Sequence, residues 1–167
     1  MKNTRKGFTL VELLIVIVVI GILSAMMMLS STEATTSAKV AAIVSNMRNI
    51  KTATLAYYTD NMDTYANSTA VPSLSDILPY INGENIPELT KTNPSYSIKK
   101  NTTSGNADEG KWYVVYNITQ GGNSTAEQAK IRQKLAGRAG ALGLTQGVSS
   151  TKYAGGASDN EVGMHIR

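Results

Sequence analysis

Residues 1–29 read MKNTRKGFTLVELLIVIVVIGILSAMMML, an apolar run from Phe8 to Leu29 interrupted by one charge, the carboxylate of Glu12. At about 1.5 Å of rise per residue this run spans about 33 Å as a helix, and it can cross a hydrocarbon core about 30 Å thick. Membrane lipid is therefore its first expected partner. Lys2, Arg5 and Lys6 all precede Gly7. The positive-inside rule then keeps the N-terminus cytoplasmic and puts everything after Leu29 outside. A cleaved secretory signal shares the layout of a basic stretch followed by an apolar one. Against that reading, the small-residue site ending at Ala25 has Leu23 where a small residue is needed. A carboxylate at membrane depth costs a few kcal/mol, so Glu12 calls either for a counter-charge or for snorkelling to the interface.

The segment Lys6-Gly7-Phe8-Thr9-Leu10-Val11-Glu12-Leu13-Leu14-Ile15 closely resembles the N-terminus of prepilins of the type IV pilin and type II secretion pseudopilin superfamily. Their signature is a short basic leader, then Gly, then Phe-Thr-Leu-x-Glu and an apolar helix. The resemblance covers about the first thirty residues strongly and the remainder only in general layout. It implies cleavage between Gly7 and Phe8 by a prepilin peptidase, N-methylation of Phe8, and Glu12 as the fifth residue of the processed chain. It also implies a homopolymeric filament as the main partnership, built by an assembly platform with its ATPase. Adhesion, motility or protein secretion are the activities such filaments serve. Cleavage would create an ammonium at Phe8, and a carboxylate one turn away or on a neighbouring subunit can pair with it where the dielectric constant is low. A buried charge left unpaired is costly, so Glu12 reads as a device that registers subunits as they leave the membrane.

The chain carries a net charge of +4, and Lys2, Arg5 and Lys6 supply three of those charges, leaving about +1 (4 − 3) beyond the leader. The basic character thus argues little for nucleic acid. There is no cysteine, so the loop-closing disulfide of many pilins has no counterpart here. The expected organisation is a leader over 1–7, a membrane and filament-core half-helix over 8–29, an amphipathic half-helix over 30–58, and a head over 59–167. The part from Ser30 onward is long enough for one core and too short for two comfortable ones.

The helical pattern continues beyond Leu29. Val40, Val44, Met47, Ile50, Thr54 and Tyr57 recur at spacings of three and four, with Ile43 and Ala53 beside them, while Ser45, Arg48, Asn49 and Thr52 face elsewhere. No proline lies between Phe8 and Asp60, which predicts one helix from Phe8 to about Tyr58, about 75 Å long. Many pilins carry a proline near the position of Leu29, associated with local melting; here only Gly21, Ser24 and the Ser30-Ser31-Thr32 run favour it. Met26, Met27 and Met28 read as adaptable apolar filler or a contact surface. In the head, Asp60-Asn61-Met62-Asp63 ends the spine, and Leu74 to Tyr80 suggests a short helix started at Ser73 or Ser75 and stopped near Pro79. Tyr96 and Ile98, then Trp112, Val114, Tyr116 and Ile118, alternate with their neighbours around the turn-rich Asn101 to Gly110, which predicts an antiparallel hairpin. Ser124-Thr125-Ala126-Glu127 is a capping-box pattern opening a second helix through Ile131, Leu135, Ala139 and Leu142, weakened by Gly137 and Gly140 and closed by Gly143. Val162 to Ile166 reads as a last strand. The fold class is α+β, a pilin ladle with a helical spine across a small antiparallel sheet.

Little in the sequence points to catalysis, and no enzyme activity or cofactor is expected. His165 is the single histidine and has no cysteine to help hold zinc, so it reads as a surface or strand-edge residue. No phosphate loop or nucleophile elbow occurs. Asp159, Asn160 and Glu161 offer oxygen ligands, but their spacing matches no calcium loop, and no metal site is assigned. Lys130, Arg132, Lys134 and Arg138, with Tyr153, could meet DNA in a membrane-anchored binding module, though a solvated helix face is the plainer reading. Asn67, Asn101, Asn117 and Asn123 each begin a glycosylation pattern that turn chemistry in an Asn- and Thr-rich chain explains equally well.

Overall fold

The computed structural model describes residues 7–65, 68, 70–81, 89 and 94–167, with backbone alone over 28–31. Lys2, Arg5 and Lys6 lie outside the described residues, as do Asn67 and the side chains of Met28 and Leu29. Helix α1 runs from Leu10 to Asp60 without a break, so the glycine and serines that favoured melting leave it helical. Thr36 and Thr54 donate their hydroxyls to the carbonyls of Thr32 and Ile50 at 2.8 and 2.7 Å, which satisfies these side chains without leaving the helix. The chain forms two compact units, residues 1–36 and residues 37–167.

In the first unit, every described side chain from Gly7 to Met27 is exposed. In the second, α1 supplies one wall of the core: Val40, Ile43, Val44, Met47, Ile50, Ala53 and Thr54 are buried on the face that the three-and-four spacing marked. The stop at Asp60 is followed by one further turn, α2 (Met62–Tyr65). Then come α3 (Leu74–Ile77) and a 3₁₀ turn over Leu78–Tyr80. Ser73 caps α3, its amide donating to Asp76 Oδ2 at 2.8 Å. Pro79 sits in the first turn of the 3₁₀ segment, where its missing amide costs nothing.

Strands β1 (Tyr96–Lys100) and β2 (Trp112–Asn117) form the expected hairpin, with Ile98 opposite Val114. Helix α4 (Thr125–Leu142) is opened by Ser124 and Glu127 in a reciprocal capping box and closed by Gly143 at φ 64°. It is unbroken at Gly137 and Gly140, and Ile131, Leu135 and Ala139 bury its core stripe. Two more strands complete an antiparallel sheet in the order β1-β2-β4-β3: β3 (Leu144–Gln146) and β4 (Glu161–His165). Of these the sequence indicated β4 alone. Half of β2 was expected to face outward, yet all residues from Trp112 to Tyr116 are buried. The reason is the segment after β3, which folds over the outer face of the sheet. There the Gly147 carbonyl lies so close above Gly163 that any Cβ at 163 would collide with it. Asn101 donates to the Val148 carbonyl at 2.6 Å.

Asp108 fastens the same segment, accepting from Ser150 N at 2.6 Å and from Lys111 Nζ at 2.8 Å. The Lys111 ammonium first, and the Ser150 hydrogen bond second, hold this carboxyl down from 3.8 to about 2. Glu127 is held down to about 2 in the same way, by Lys39 first and then Ser124. A carboxyl lowered on folding stabilises the fold above its unfolded value, and that contribution is lost as pH falls from about 4 to 2. Thermal melts between pH 6 and 2 should therefore show Tm falling across that window, and Asp108→Asn should flatten the fall. An unchanged pH profile in the variant would show that Asp108 does not anchor the loop.

Candidate functional site

Gly7 to Thr9 precede α1 outside regular secondary structure, and Phe8 is 86% exposed. Thr9 is the N-cap. Its amide and its hydroxyl both donate to Glu12 Oε2 at 2.8 Å, and the Glu12 amide donates back to Thr9 Oγ1 at 3.3 Å. This is a capping box, built on the Thr-x-x-Glu spacing that the first-turn sequence carries. Thr9 is a site residue that the carboxylate alone does not reveal, and the Thr-x-x-Glu spacing is the signal that marks it. Both bonds fall on Oε2, and among the described residues Oε1 takes no donor. A carboxylate in the first turn also complements the helix dipole.

Beyond this cap the large apolar side chains from Leu10 to Met27 expose between 47% and 80% of their surface, Val19 least and Leu10 most. The helix is long and apolar enough to cross a membrane. At about 1.5–3 kcal/mol for each large apolar side chain taken out of water, such a surface has to be covered by lipid or by other protein. Gly7, Phe8 and Glu12 thus share one exposed end of an uncovered apolar helix.

The head candidates are placed differently. Arg132, expected on a solvated basic face, is buried, and its Nη2 donates to Asn160 Oδ1 at 2.6 Å. Tyr153 is buried too, its hydroxyl donating to the Asp159 carbonyl at 2.9 Å. Lys134 donates to Ser37 Oγ at 2.8 Å. The four cations of α4 therefore do not form one surface. Asp159 accepts from Gln146 Nε2 and from Gly156 N, each at 2.7 Å, and Glu161 accepts from Lys99 Nζ at 2.6 Å. Their oxygens close the loop before β4 internally, and among the described residues no group of three or more His, Asp or Glu is arranged to hold a metal. His165 ends β4 and packs on Tyr113, with its pKa lowered first by burial and then by Lys111 and Lys51. Asn101 and Asn117 accept from the amides of Thr103 and Thr119 at 2.9 and 3.0 Å, the turn role expected of them.

A long apolar N-terminal helix, packed through its second half on a small antiparallel four-stranded sheet, defines an α+β pilin-like architecture. The prokaryotic N-terminal methylation motif matches residues 2–28. A fimbrial protein of Neisseria meningitidis (serogroup A / serotype 4A) is 35% identical over 79 residues, a match covering 46% of this chain and 46% of that one. The chain is thus matched over about half the length of this curated relative. No solved structure matches. Motif and partial likeness are both to pilin-type proteins, and the pilin-like fold agrees with them.

Proposed function

We propose that the chain is a structural subunit of a type IV pilus, released from the cytoplasmic membrane into a filament after loss of its leader. The observation that carries this reading is the uncovered apolar helix from Leu10 to Met27, which begins with the methylation motif and holds one carboxylate, Glu12. Residues 1–7 are the leader, Gly7 and Phe8 flank the cut, and Phe8 receives the methyl group. Residues 8–29 exchange lipid for neighbouring subunits, residues 30–58 carry the head, and residues 59–167 complete it. In this scheme the new ammonium at Phe8 takes the free oxygen of Glu12, its own or a neighbour's. The partners are further copies of the chain, the prepilin peptidase and methyltransferase, and the assembly platform with its ATPase. A pseudopilin of a secretion apparatus would share the N-terminal residues; the likeness to a fimbrial protein favours the longer filament.

An antibody to the head should label long surface fibres, and short stubs alone would point to the pseudopilin. Gly7→Leu places a branched side chain where the peptidase must admit an extended peptide. Leader-bearing protein should then accumulate in the membrane, with fibres reduced at least about a hundredfold, a loss of roughly 3 kcal/mol in the cleavage transition state. Wild-type fibre numbers in that variant would contradict cleavage at Gly7.

A further inference from the structure

The head carries a groove of about 300 Å³ lined by Ala41, Val44 and Leu142 together with Ser45, Asn49, Arg48 and Arg138. A second hollow of about 490 Å³ shares Arg48 and Leu142 with it and adds Lys51. No described carboxylate lines either one. Arg48, Lys51 and Arg138 make no ion pair with any described residue. Apolar side chains beside Arg48 and Arg138, with Lys51 in the adjoining hollow and no described carboxylate opposing them, suit an apolar side chain flanked by carboxylates.

Among the described residues of 37–167, the turn around Met62 presents such a surface. Met62 is 50% exposed, and with Leu78 it makes up the large apolar side chains left exposed among the described residues of 37–167. Asp60, the last residue of α1, and Asp63, in α2, flank it in sequence, both exposed. Asp60 accepts one hydrogen bond, from Tyr80 at 2.8 Å, and Asp63 has no partner among the described residues. The turn cannot reach its own groove, because Arg48 and Asp60 lie about 18 Å apart along one helix.

We propose that this groove receives the Asp60 to Asp63 turn of a second copy of the chain, with Met62 against its apolar side chains and the two carboxylates against Arg48, Lys51 and Arg138. Groove and turn are different surfaces of one molecule, so the contact is heterologous. Each copy offers a free turn at one end and a free groove at the other, which extends an array instead of closing a pair. The inference rests on the filament reading and specifies which head surfaces meet in it.

The test uses the absence of native cysteine from the chain. Ser45→Cys in the groove together with Met62→Cys in the turn should, on mild oxidation of assembled protein by copper phenanthroline, give a disulfide ladder of three or more subunits. Either substitution alone should leave monomers. Arg48→Glu or Asp63→Arg in that background should cut the ladder about tenfold through like-charge contact, and the two together should restore it. A doubly substituted chain that stays monomeric, or a charge swap that restores nothing, overturns the proposal. Loss of plasmid-DNA binding on Arg48→Glu, with the ladder unchanged, would instead make the groove a polyanion site and also overturn it. Fibre imaging separates the two levels: fibres without a ladder remove this contact and leave the filament, whereas a ladder without fibres removes the filament reading alone.

Discussion

Glu12→Val should yield leader-cleaved protein that accumulates in the membrane and almost no fibres. The substitution makes the segment more apolar, so insertion is unaffected or improved. It also removes the oxygen that takes both Thr9 donors and the one carboxylate of the apolar run, the counter-charge proposed for a new ammonium at Phe8. Losing the cap costs about 1 kcal/mol of local helix order. That is small beside the several kcal/mol of an ammonium left unpaired as a subunit leaves lipid. The two contributions can be separated. Thr9→Ala takes the capping hydroxyl and spares the carboxylate, so it should reduce fibre yield by less than tenfold. Co-expression of wild-type chain with Glu12→Val should give fewer or shorter fibres. Immunoblots for processed protein, paired with fibre counts, read all three. Wild-type fibre numbers in Glu12→Val cells would leave the carboxylate as a helix cap only.

The second large effect concerns the head. A chain beginning at Thr35 keeps the whole unit of residues 37–167 and should fold with one cooperative transition that reductant does not alter. A chain beginning after Tyr58 lacks Val40, Ile43, Val44, Met47, Ile50 and Ala53, all buried against the sheet and α4. Each large apolar deletion from a packed core costs about 2–5 kcal/mol, and five of them exceed the 5–15 kcal/mol typical of a whole domain. The shorter chain should show no thermal transition by circular dichroism. Equal Tm values for the two would mean that α1 does not underlie the sheet.

What the sequence made legible follows from periodicity and caps. The apolar pattern from Val40 to Tyr57 has a helical period that tertiary packing then used directly, so the buried face of α1 could be read residue by residue. Both capping boxes of the head declare helix starts through short-range hydrogen bonds that need no tertiary context. The remainder depends on packing at long range. Strand β3 is three residues between Gly143 and Gly147, too short to show alternation, and it exists because Met164 and its neighbours offer a free edge. Arg132 looks like its basic neighbours until the loop before β4 brings Asn160 to it. The outer face of β2 is buried by a Gly- and Ser-rich segment, whose backbone and small side chains give no apolar signal. At the N-terminus the opposite holds, since Gly7, Phe8, Thr9 and Glu12 lie close together in sequence and the Thr9–Glu12 bonds are set within one turn.

The proposed assembly route stands on the cut between Gly7 and Phe8, and intact-mass and N-terminal peptide mass spectrometry of purified fibres measures it directly. The first residue should be Phe8 carrying one methyl group on its amine, with residues 1–7 absent. Fibres whose subunits begin at Met1, or at Met26 after signal-type cleavage, would contradict it.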